Sequence, residues 1–509
     1  MTPEEWAALE SLARSTKSEH RTRFKARIVL MAADGAATRA IGRALKCTTR
    51  TASKWRVRYA KDRLAGFSET GNRGAEAKYG EEAGRRILAV LDTPPPDGYA
   101  NWSGPLIANA LGTFTFNMSC ARGRGAMKRV IVCCDGTWND TDNQSTDTNV
   151  FRIARAIHAS QHTGGVLQIV LYLSGVGTSG LEFEKLVAGA IGLGVGDNIR
   201  SAYMFIAQNY LPGDEIFLFG FSRGAFTARS LAGLINACGI LKRQKLGDLP
   251  YAWAYYRSPP PHSPQDFVAK YKTDCHTNAK IRFLGVWETV GALGVPGHLF
   301  SAENARKFAF HDTGPCAVVE HGCHALAVDE HRHDFVPTFW TGPAPAGVRI
   351  EQVWFAGAHS DVGGGYVTRT LADIPLVWMA RKAEADGLVL DWTCLPKAED
   401  LQPLAPSHDS SSGLFSIDRF SPTFREVLQK AFEVSAFERL YAPLDANGNR
   451  LQTINEKAHV SVVSRHRQSA LVCSADAEGT CESAVYEPRN LAPLFAKDGT
   501  VAEGVAVAD

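Results

Sequence analysis

One serine of this chain stands in a setting that could activate it. Ser222 is the centre of Gly-Phe-Ser-Arg-Gly at 220–224, directly after the apolar run Ile216, Phe217, Leu218, Phe219 and before a stretch of helical composition at 225–232. A strand that ends in Gly-x-Ser-x-Gly and turns at once into a helix is a nucleophile elbow, which pushes a serine hydroxyl out of a sharp turn. Gly220 and Gly224 lie two residues either side of Ser222, where side chains would collide if strand and helix are to pack. Any turn can imitate the bare pattern, but the flanking strand and helix favour hydrolase chemistry over a structural turn.

Such a serine needs a base, and the base an acid to orient it; in elbow enzymes the chain order is Ser, then Asp or Glu, then His. Glu288 follows Arg-Phe-Leu-Gly-Val-Trp at 282–287, and His359 follows Gln-Val-Trp-Phe-Ala-Gly-Ala at 352–358 and leads into Ser-Asp-Val-Gly-Gly-Gly-Tyr at 360–366. Both stand where strand-like runs meet loops, which is where open α/β sheets gather their sites. Ser222, His359 and Glu288 are therefore the candidate nucleophile, base and acid. Charge developing on a substrate oxygen needs backbone donors, one of them from the residue after the nucleophile, Arg223. The second is expected from the Asp135-Gly136-Thr137 loop, through Gly136 and Thr137, with Asp135 either presenting that loop or only tying it together. Asp361 is an accessory acid, the substitute by sequence should Glu288 not reach, although so close to His359 it better suits ordering its own turn. Arg223 and Arg229 suit either a lipid phosphate or a structural partner. His311, His321, His324, His331 and His333 crowd one stretch, but their spacing matches no tight ligand set, so neither a metal nor a cofactor is expected.

The elements that must position these residues read as α/β. Short β-rich runs at 130–134, 168–173, 215–220, 281–287 and 351–356 alternate with helical stretches at 149–159, 198–210, 225–237 and 371–385. That alternation predicts a mostly parallel sheet with helices on both faces. Beyond about 390 it fades into Pro/Ser/Asp-rich loops with one helix expected at 423–441.

A chain of 509 residues should hold two or three domains. Its net charge of +2 hides an asymmetry: residues 1–126 carry 21 Lys/Arg against 12 Asp/Glu, and the remainder 34 against 41. A basic front suits a polyanion; a solvated basic face would look the same. The 11 cysteines show no repeated spacing, which disfavours a disulfide framework and suits a reducing compartment. The first residues lack a signal-peptide pattern, and the most apolar run, 186–196, is too short and glycine-rich to span a bilayer. The chain is expected to be cytoplasmic as made.

Residues 21–58 read as three helices with helix-turn-helix spacing, broken at Asp34-Gly35 and at 46–49. Ala40, Ile41, Ala44 and Leu45 give the second an apolar stripe, and Thr48 or Thr49 can cap the third. Thr49, Arg50, Thr51, Lys54, Arg56 and Arg58 load that third helix with polar and basic groups, making it the candidate DNA reader. Ala-Arg-Ile-Val-Leu at 26–30, Ile-Gly-Arg-Ala-Leu at 41–45 and Ala-Ser-Lys-Trp-Arg at 52–56, together with the segment from Gly66 to about 112, resemble the DNA-binding part of IS630-type transposases. The metal-holding acidic domain of such an enzyme is not present after Leu111. Residues 113–126 read as a junction, and Met127 opens a strand as the first residue of a separate hydrolase would, so a fused reading frame with a start at Met127 is one expectation. The expected divisions are 1–112, 113–126, a catalytic domain at 127–390 and an irregular cap or tail at 391–509.

Cys-Asp-Gly-Thr-Trp-Asn at 134–139, Gly-Phe-Ser-Arg-Gly-Ala at 220–225, Phe-Leu-Gly-Val-Trp-Glu-Thr-Val-Gly-Ala at 283–292, His-Ala-Leu-Ala-Val-Asp-Glu at 324–330 and His-Ser-Asp-Val-Gly-Gly-Gly-Tyr at 359–366 occur in that order. Together they resemble the α/β-hydrolase family that includes phospholipase effectors of bacterial type VI secretion, over about 127–380 with echoes near His459 and Tyr486. The resemblance implies an α/β-hydrolase fold, ester hydrolysis with phospholipid as substrate, contact with a membrane surface, export by a type VI route, and a secretion-apparatus or immunity partner. It also implies Ser222 as nucleophile, His359 as base and position 288 as acid. The family usually has Asp where this chain has Glu288, one methylene longer.

Overall fold

The computed structural model describes residues 2–14, 20–45, 48–64, 127–136, 147–157, 166–175, 191–290, 314–411, 420–445, 447–474 and 480–509. The chain divides into two compact units, Met1–Arg122 and Gly123–Asp509.

The first unit is helical in its described part: α1 (Pro3–Arg14), α2 (His20–Ala33), α3 (Thr38–Ala44) and α4 (Thr49–Asp62). Ile28, Ile41 and Ala52 join α2, α3 and α4 in one apolar cluster, and Leu9, Ala26, Val29 and Tyr59 tie α1 to α2 and α4. Thr48 caps α4 by accepting from the Thr51 N–H at 3.1 Å. The polar stretch through Gly80 that resembles the transposase linker, the segment from Ile87 to Tyr99 that resembles the start of that family's second helical unit, and the 113–126 junction lie outside the described residues.

The second unit is built on one eight-stranded sheet. Its strands are β1 (Lys128–Cys134), β2 (Leu167–Leu173), β3 (Glu215–Phe221), β4 (Phe283–Trp287), β5 (His321–Ala327), β6 (Arg349–Phe355), β7 (Glu456–His459) and β8 (Val507–Ala508). The spatial order is β8-β7-β6-β5-β4-β3-β1-β2, and every neighbouring pair runs parallel. Strands buried on both faces need apolar side chains at odd and even positions alike, and the central strands have them. Val130, Val132, Ile216 and Leu218 pack on one face with α6 (Ile191–Asn209) and α7 (Arg223–Cys238). Ile131, Cys133, Phe217 and Phe219 pack on the other with α5 (Asn149–Ala156) and α9 (Asp373–Ala385). The five strands and four helices expected from the sequence are all present, within about three residues of their expected ends except that the helix expected at 198–210 begins earlier, at Ile191.

Three differences stand out. The helix expected at 423–441 is instead a short strand, Thr423–Arg425, paired in parallel with Arg439–Tyr441. Phe424 packs against the rings of His331 and Phe432, and Val427 and Tyr441 join an apolar cluster, without helical periodicity, so tertiary contacts decide this segment. Residues 391–509, expected as an irregular cap or tail, supply β7 and β8 of the sheet. A disulfide joins Cys473 to Cys481, where none was expected; the two cysteines face each other across a hairpin that sequence spacing alone did not reveal.

Register aligns the carboxyl ends of the central strands. Cys134 pairs with Gly220, Phe221 with Trp287, Trp287 with Ala325, and Ala327 with Phe355. β2 lies on the far side of β1 from β3, so the direction of winding reverses at the β1–β3 crevice, the place where parallel sheets of this kind open a site. The elbow closes tightly over that crevice. A Cβ on Gly220 would meet the Gly224 carbonyl and the Ala225 backbone, and one on Gly224 would lie inside the Cys134 carbonyl.

Gly224→Ala is expected to destabilise the second unit by about 1–3 kcal/mol or more, because the obstruction is backbone that cannot swing away. Gly247→Ala, with open space around the added methyl, should stay within about 0.5 kcal/mol of the parent. Urea unfolding of the whole chain measures both, and equal effects would contradict the close approach.

Candidate functional site

Each candidate residue stands at the end of one aligned strand. Asp135 follows β1, Ser222 follows β3, Glu288 follows β4, and His359 opens a short helix, α8 (His359–Gly363), a few residues past β6. Ser222 and Glu288 have left-handed backbones, with φ of 55° and 46°, in a region non-glycine residues rarely occupy. Such strain persists only where surrounding structure enforces it. At Ser222 the Ser222 N–H donates to the Trp287 carbonyl at 3.0 Å and the Phe226 N–H to the Ser222 carbonyl at 3.2 Å, pinning the turn. At Glu288 the backbone N–H donates to the Ala325 carbonyl at 2.9 Å.

Glu288 reaches His359 despite lying 71 residues away: Nδ1–H of His359 donates to Glu288 Oε2 at 3.0 Å. Glu288 is wholly buried, and Arg425, at 1% side-chain exposure, lies against it. Arg425 donates from Nη1 to Oε1 and from Nη2 to Oε2, each at 2.8 Å, and the Ala327 N–H donates to Oε1 at 2.8 Å. Burial alone would raise this carboxyl; Arg425, with the His359 hydrogen bond, overcomes it and holds the group down at about 2. Burial pushes the His359 imidazole below its ordinary value, against the pull of Glu288. The ring lies 4.7 Å from that of Phe221, the residue before Ser222, and edge-on to Phe335 at 5.0 Å. Ser222 is half-buried, and among the described residues no hydrogen bond joins its hydroxyl to His359.

The expected oxyanion donors separate. Arg223 begins α7, where the first backbone N–H groups have no intrahelical acceptor. Its guanidinium, lowered to about 10 by burial, has no ion-pair partner among the described residues. Gly136 lies beside Ser222, since a Cβ added there would sit 3.5 Å from that of the serine. Its N–H, however, donates to Asp135 Oδ1 at 2.7 Å, so Gly136 is not a free donor. Thr137 lies outside the described residues. Asp135 Oδ2 also accepts from Thr148 and Tyr172 hydroxyls, each at 2.6 Å, so this carboxylate ties the loop together. Asp361 accepts from the Ala358 N–H at 3.0 Å and the His408 N–H at 2.9 Å and contacts His408 Nδ1 at 2.6 Å, so it orders its own turn and leaves the His359 ring to Glu288.

The histidine-rich stretch spreads out. His321 and His324 lie on β5, His331 and His333 follow it, and His311 falls outside the described residues. His324 is neutral, its pKa lowered to about 3 by burial and by Arg229, and accepts from the Thr289 N–H at 3.1 Å. His321, at the opposite end of the sheet, approaches Cys323 Sγ and Glu351 Oε1 at 3.3 Å each. Lys382 donates to both oxygens of Glu351 at 3.0 Å, occupying the positions a cation would use.

Two residues here escaped sequence reasoning. Arg425 gave no signal, standing inside a segment expected to be helical. Glu330, the last residue of the 324–330 motif, accepts from the His359 N–H at 3.2 Å and is gripped by Arg332 at 2.8 and 2.9 Å. A cavity of about 430 Å³ beside α7, lined by Gly233, Asn236, Tyr256 and Trp340 among others, includes neither Ser222 nor His359. Arg229 at its edge donates to the Thr338 and Phe339 carbonyls and lies over Trp340, a structural role.

On the α4 surface, Thr49 and Lys54 are exposed. Arg56 instead donates to Thr38 on α3, Thr51 joins the Thr48 cap, and Arg58 lies over Trp55. The Arg50 side chain lies outside the described residues.

Residues 19–68 match the homeodomain-like domain family. An uncharacterized protein of Saccharomyces cerevisiae, YEL023C, is 28% identical over 242 residues, covering 43% of this chain. The chain spans about a third, 33%, of that relative's length. Among solved structures, an uncharacterized protein from Pseudomonas aeruginosa is 18% identical with a TM-score of 0.32, over 59% of this chain and 52% of that one. A Tle1 effector bound to the VgrG spike of the type VI secretion system is 21% identical with a TM-score of 0.30, over 48% and 52%. Residues 128–382 match the catalytic domain of Tle1-like phospholipase effectors of type VI secretion, half of the chain, and the chain belongs to that family.

Proposed function

We propose that the second unit is a serine hydrolase of carboxylic esters, acting on phospholipid through Ser222, His359 and Glu288. The observation that carries this reading is the buried hydrogen bond from His359 Nδ1–H to Glu288 Oε2 beside a strained serine elbow. That bond fixes the imidazole tautomer with Nε2 as the proton acceptor. Ser222 Oγ attacks the ester carbonyl while its proton passes to His359 Nε2, and the oxyanion draws on the backbone N–H of Arg223. Collapse transfers the His359 proton to the departing alcohol and leaves an acyl group on Ser222. Water, deprotonated by His359, then releases the acid and restores the serine. The hydrogen bond from the Ser222 hydroxyl to His359 Nε2 that this transfer needs is of the kind that forms or tightens on substrate binding in such enzymes. Family membership and the half-buried cation of Arg223 next to the nucleophile, without an ion-pair partner among the described residues, favour a phosphate-bearing substrate. Family membership likewise supports type VI export, a membrane-surface encounter, and a secretion-apparatus or immunity partner.

A second activity is proposed for the first unit: DNA binding through α4, favoured by the homeodomain-like match and the exposed Thr49 and Lys54. Arg56, tied to Thr38, is a structural member of that helix rather than a DNA contact.

Fatty acid release from phospholipid vesicles should fall by at least about a thousandfold in Ser222→Ala, along with fluorophosphonate labelling. Equal release by that variant would refute the assignment. Because burial lowers His359, it stays neutral and able to accept a proton below its ordinary value, so the acid limb of kcat/KM should lie below about pH 6.5. A limb well above that value would remove His359 as base. Gel shifts with the whole chain should weaken steeply with salt, and Lys54→Ala should reduce binding to all sequences alike; no binding at low salt would end the DNA reading.

A further inference from the structure

We infer that Arg425 is a positioning residue for the candidate acid, fixing the Glu288 carboxylate and offsetting its charge so that His359 is oriented by geometry rather than by a net negative field. This rests on the hydrolase reading above. Glutamate has one more rotatable bond than the aspartate usual in the family, so its carboxylate has more orientations to lose. Here those orientations are removed by saturation. Oε1 accepts from Arg425 Nη1 and the Ala327 N–H, and Oε2 from Arg425 Nη2, which leaves one acceptor position, taken by His359 Nδ1–H.

The guanidinium is itself immobilised. Nη1 also donates to the Ala327 carbonyl at 2.7 Å and Nη2 to the Phe335 carbonyl at 2.6 Å, joining it to the end of β5 and to the loop whose Phe335 ring packs on His359. A lysine could carry the charge but not the planar fork that meets both oxygens at once. Charged groups around His359 are Glu288, with Arg425 behind it, Glu330 with Arg332, and on its own helix Asp361, which His408 engages. Both carboxylates nearest the imidazole are thus matched by an arginine, and burial outweighs the upward pull that they retain on it.

Arg425→Gln removes the cation and Arg425→Lys removes only the fork. The His359 titration, followed by NMR of histidine-labelled full-length protein and assigned with a His359 variant, should move up by about one pH unit in Arg425→Gln, because an uncompensated Glu288 favours imidazolium. An unchanged midpoint would overturn the inference. In Arg425→Lys the midpoint should stay near the parent's, while kcat on a short soluble ester falls on the order of tenfold per folded molecule with KM unchanged. An unaltered kcat there would overturn it too, and this variant decides alone if Arg425→Gln does not fold. If the parent chain hydrolyses no ester, the hydrolase reading fails, and the NMR titration still decides whether Arg425 offsets Glu288 at His359.

Discussion

A carboxylate sealed from solvent is the constraint on which the second unit turns. Glu288 is wholly buried, and an ion removed from water is tolerated only when its lone pairs are met by good donors. Meeting them recruits distant parts of the chain: Ala327 from the end of β5, His359 after β6, and Arg425 from a ribbon late in the sequence. The demand of one buried charge therefore fixes the relative placement of several elements. It also explains why a left-handed backbone is tolerated at Glu288, since a relaxed backbone there would have to carry the side chain away from this set of donors.

The sheet makes such convergence possible. In a wholly parallel sheet the carboxyl ends lie along one edge, so residues just past β1, β3, β4 and β6 become neighbours whatever their separation in sequence. The elbow uses the same edge differently. With no side chain at Gly220 or Gly224, α7 can begin directly over the end of β1, and Ser222 is turned outward next to Gly136.

Local pattern was legible wherever local pattern determines structure. Both-face apolar runs gave the central strands, threonine before a basic helix gave the α4 cap, and Gly-x-Ser-x-Gly after a strand gave the elbow. Glu288 and His359 were named as candidates because motif order restricts where partners can stand, and a hydrogen bond joins the two side chains. What escaped depended on tertiary context. β5 was read as a histidine-rich stretch because His321 and His324 are polar residues of a buried strand, made compatible by Asp386 and Thr289. The Gly136 N–H looked free until the Asp135 side chain was seen to curl back upon it.

Arg425 is the sharpest of these omissions, and its cause is general. Composition divides the chain near 390, where apolar alternation gives way to loops, yet electrostatics draws no boundary there. Arg425, Glu456 and Asn490 are buried polar groups of the late segment, and each is hydrogen-bonded to atoms of earlier elements: Arg425 to Glu288, Glu456 to the Trp354 indole at 2.6 Å, and Asn490 Nδ2 to the Val328 carbonyl at 2.9 Å. Apolar residues of the same segment, Val427, Val462 and Leu491, pack against Leu326 and Trp354. A segment that must bury its polar groups against the sheet, and that the sheet needs in order to neutralise Glu288, belongs to the same folding unit however irregular its sequence looks. The candidate acid is then complete only when the last quarter of the chain has docked, which ties the geometry at His359 to the integrity of the whole second unit.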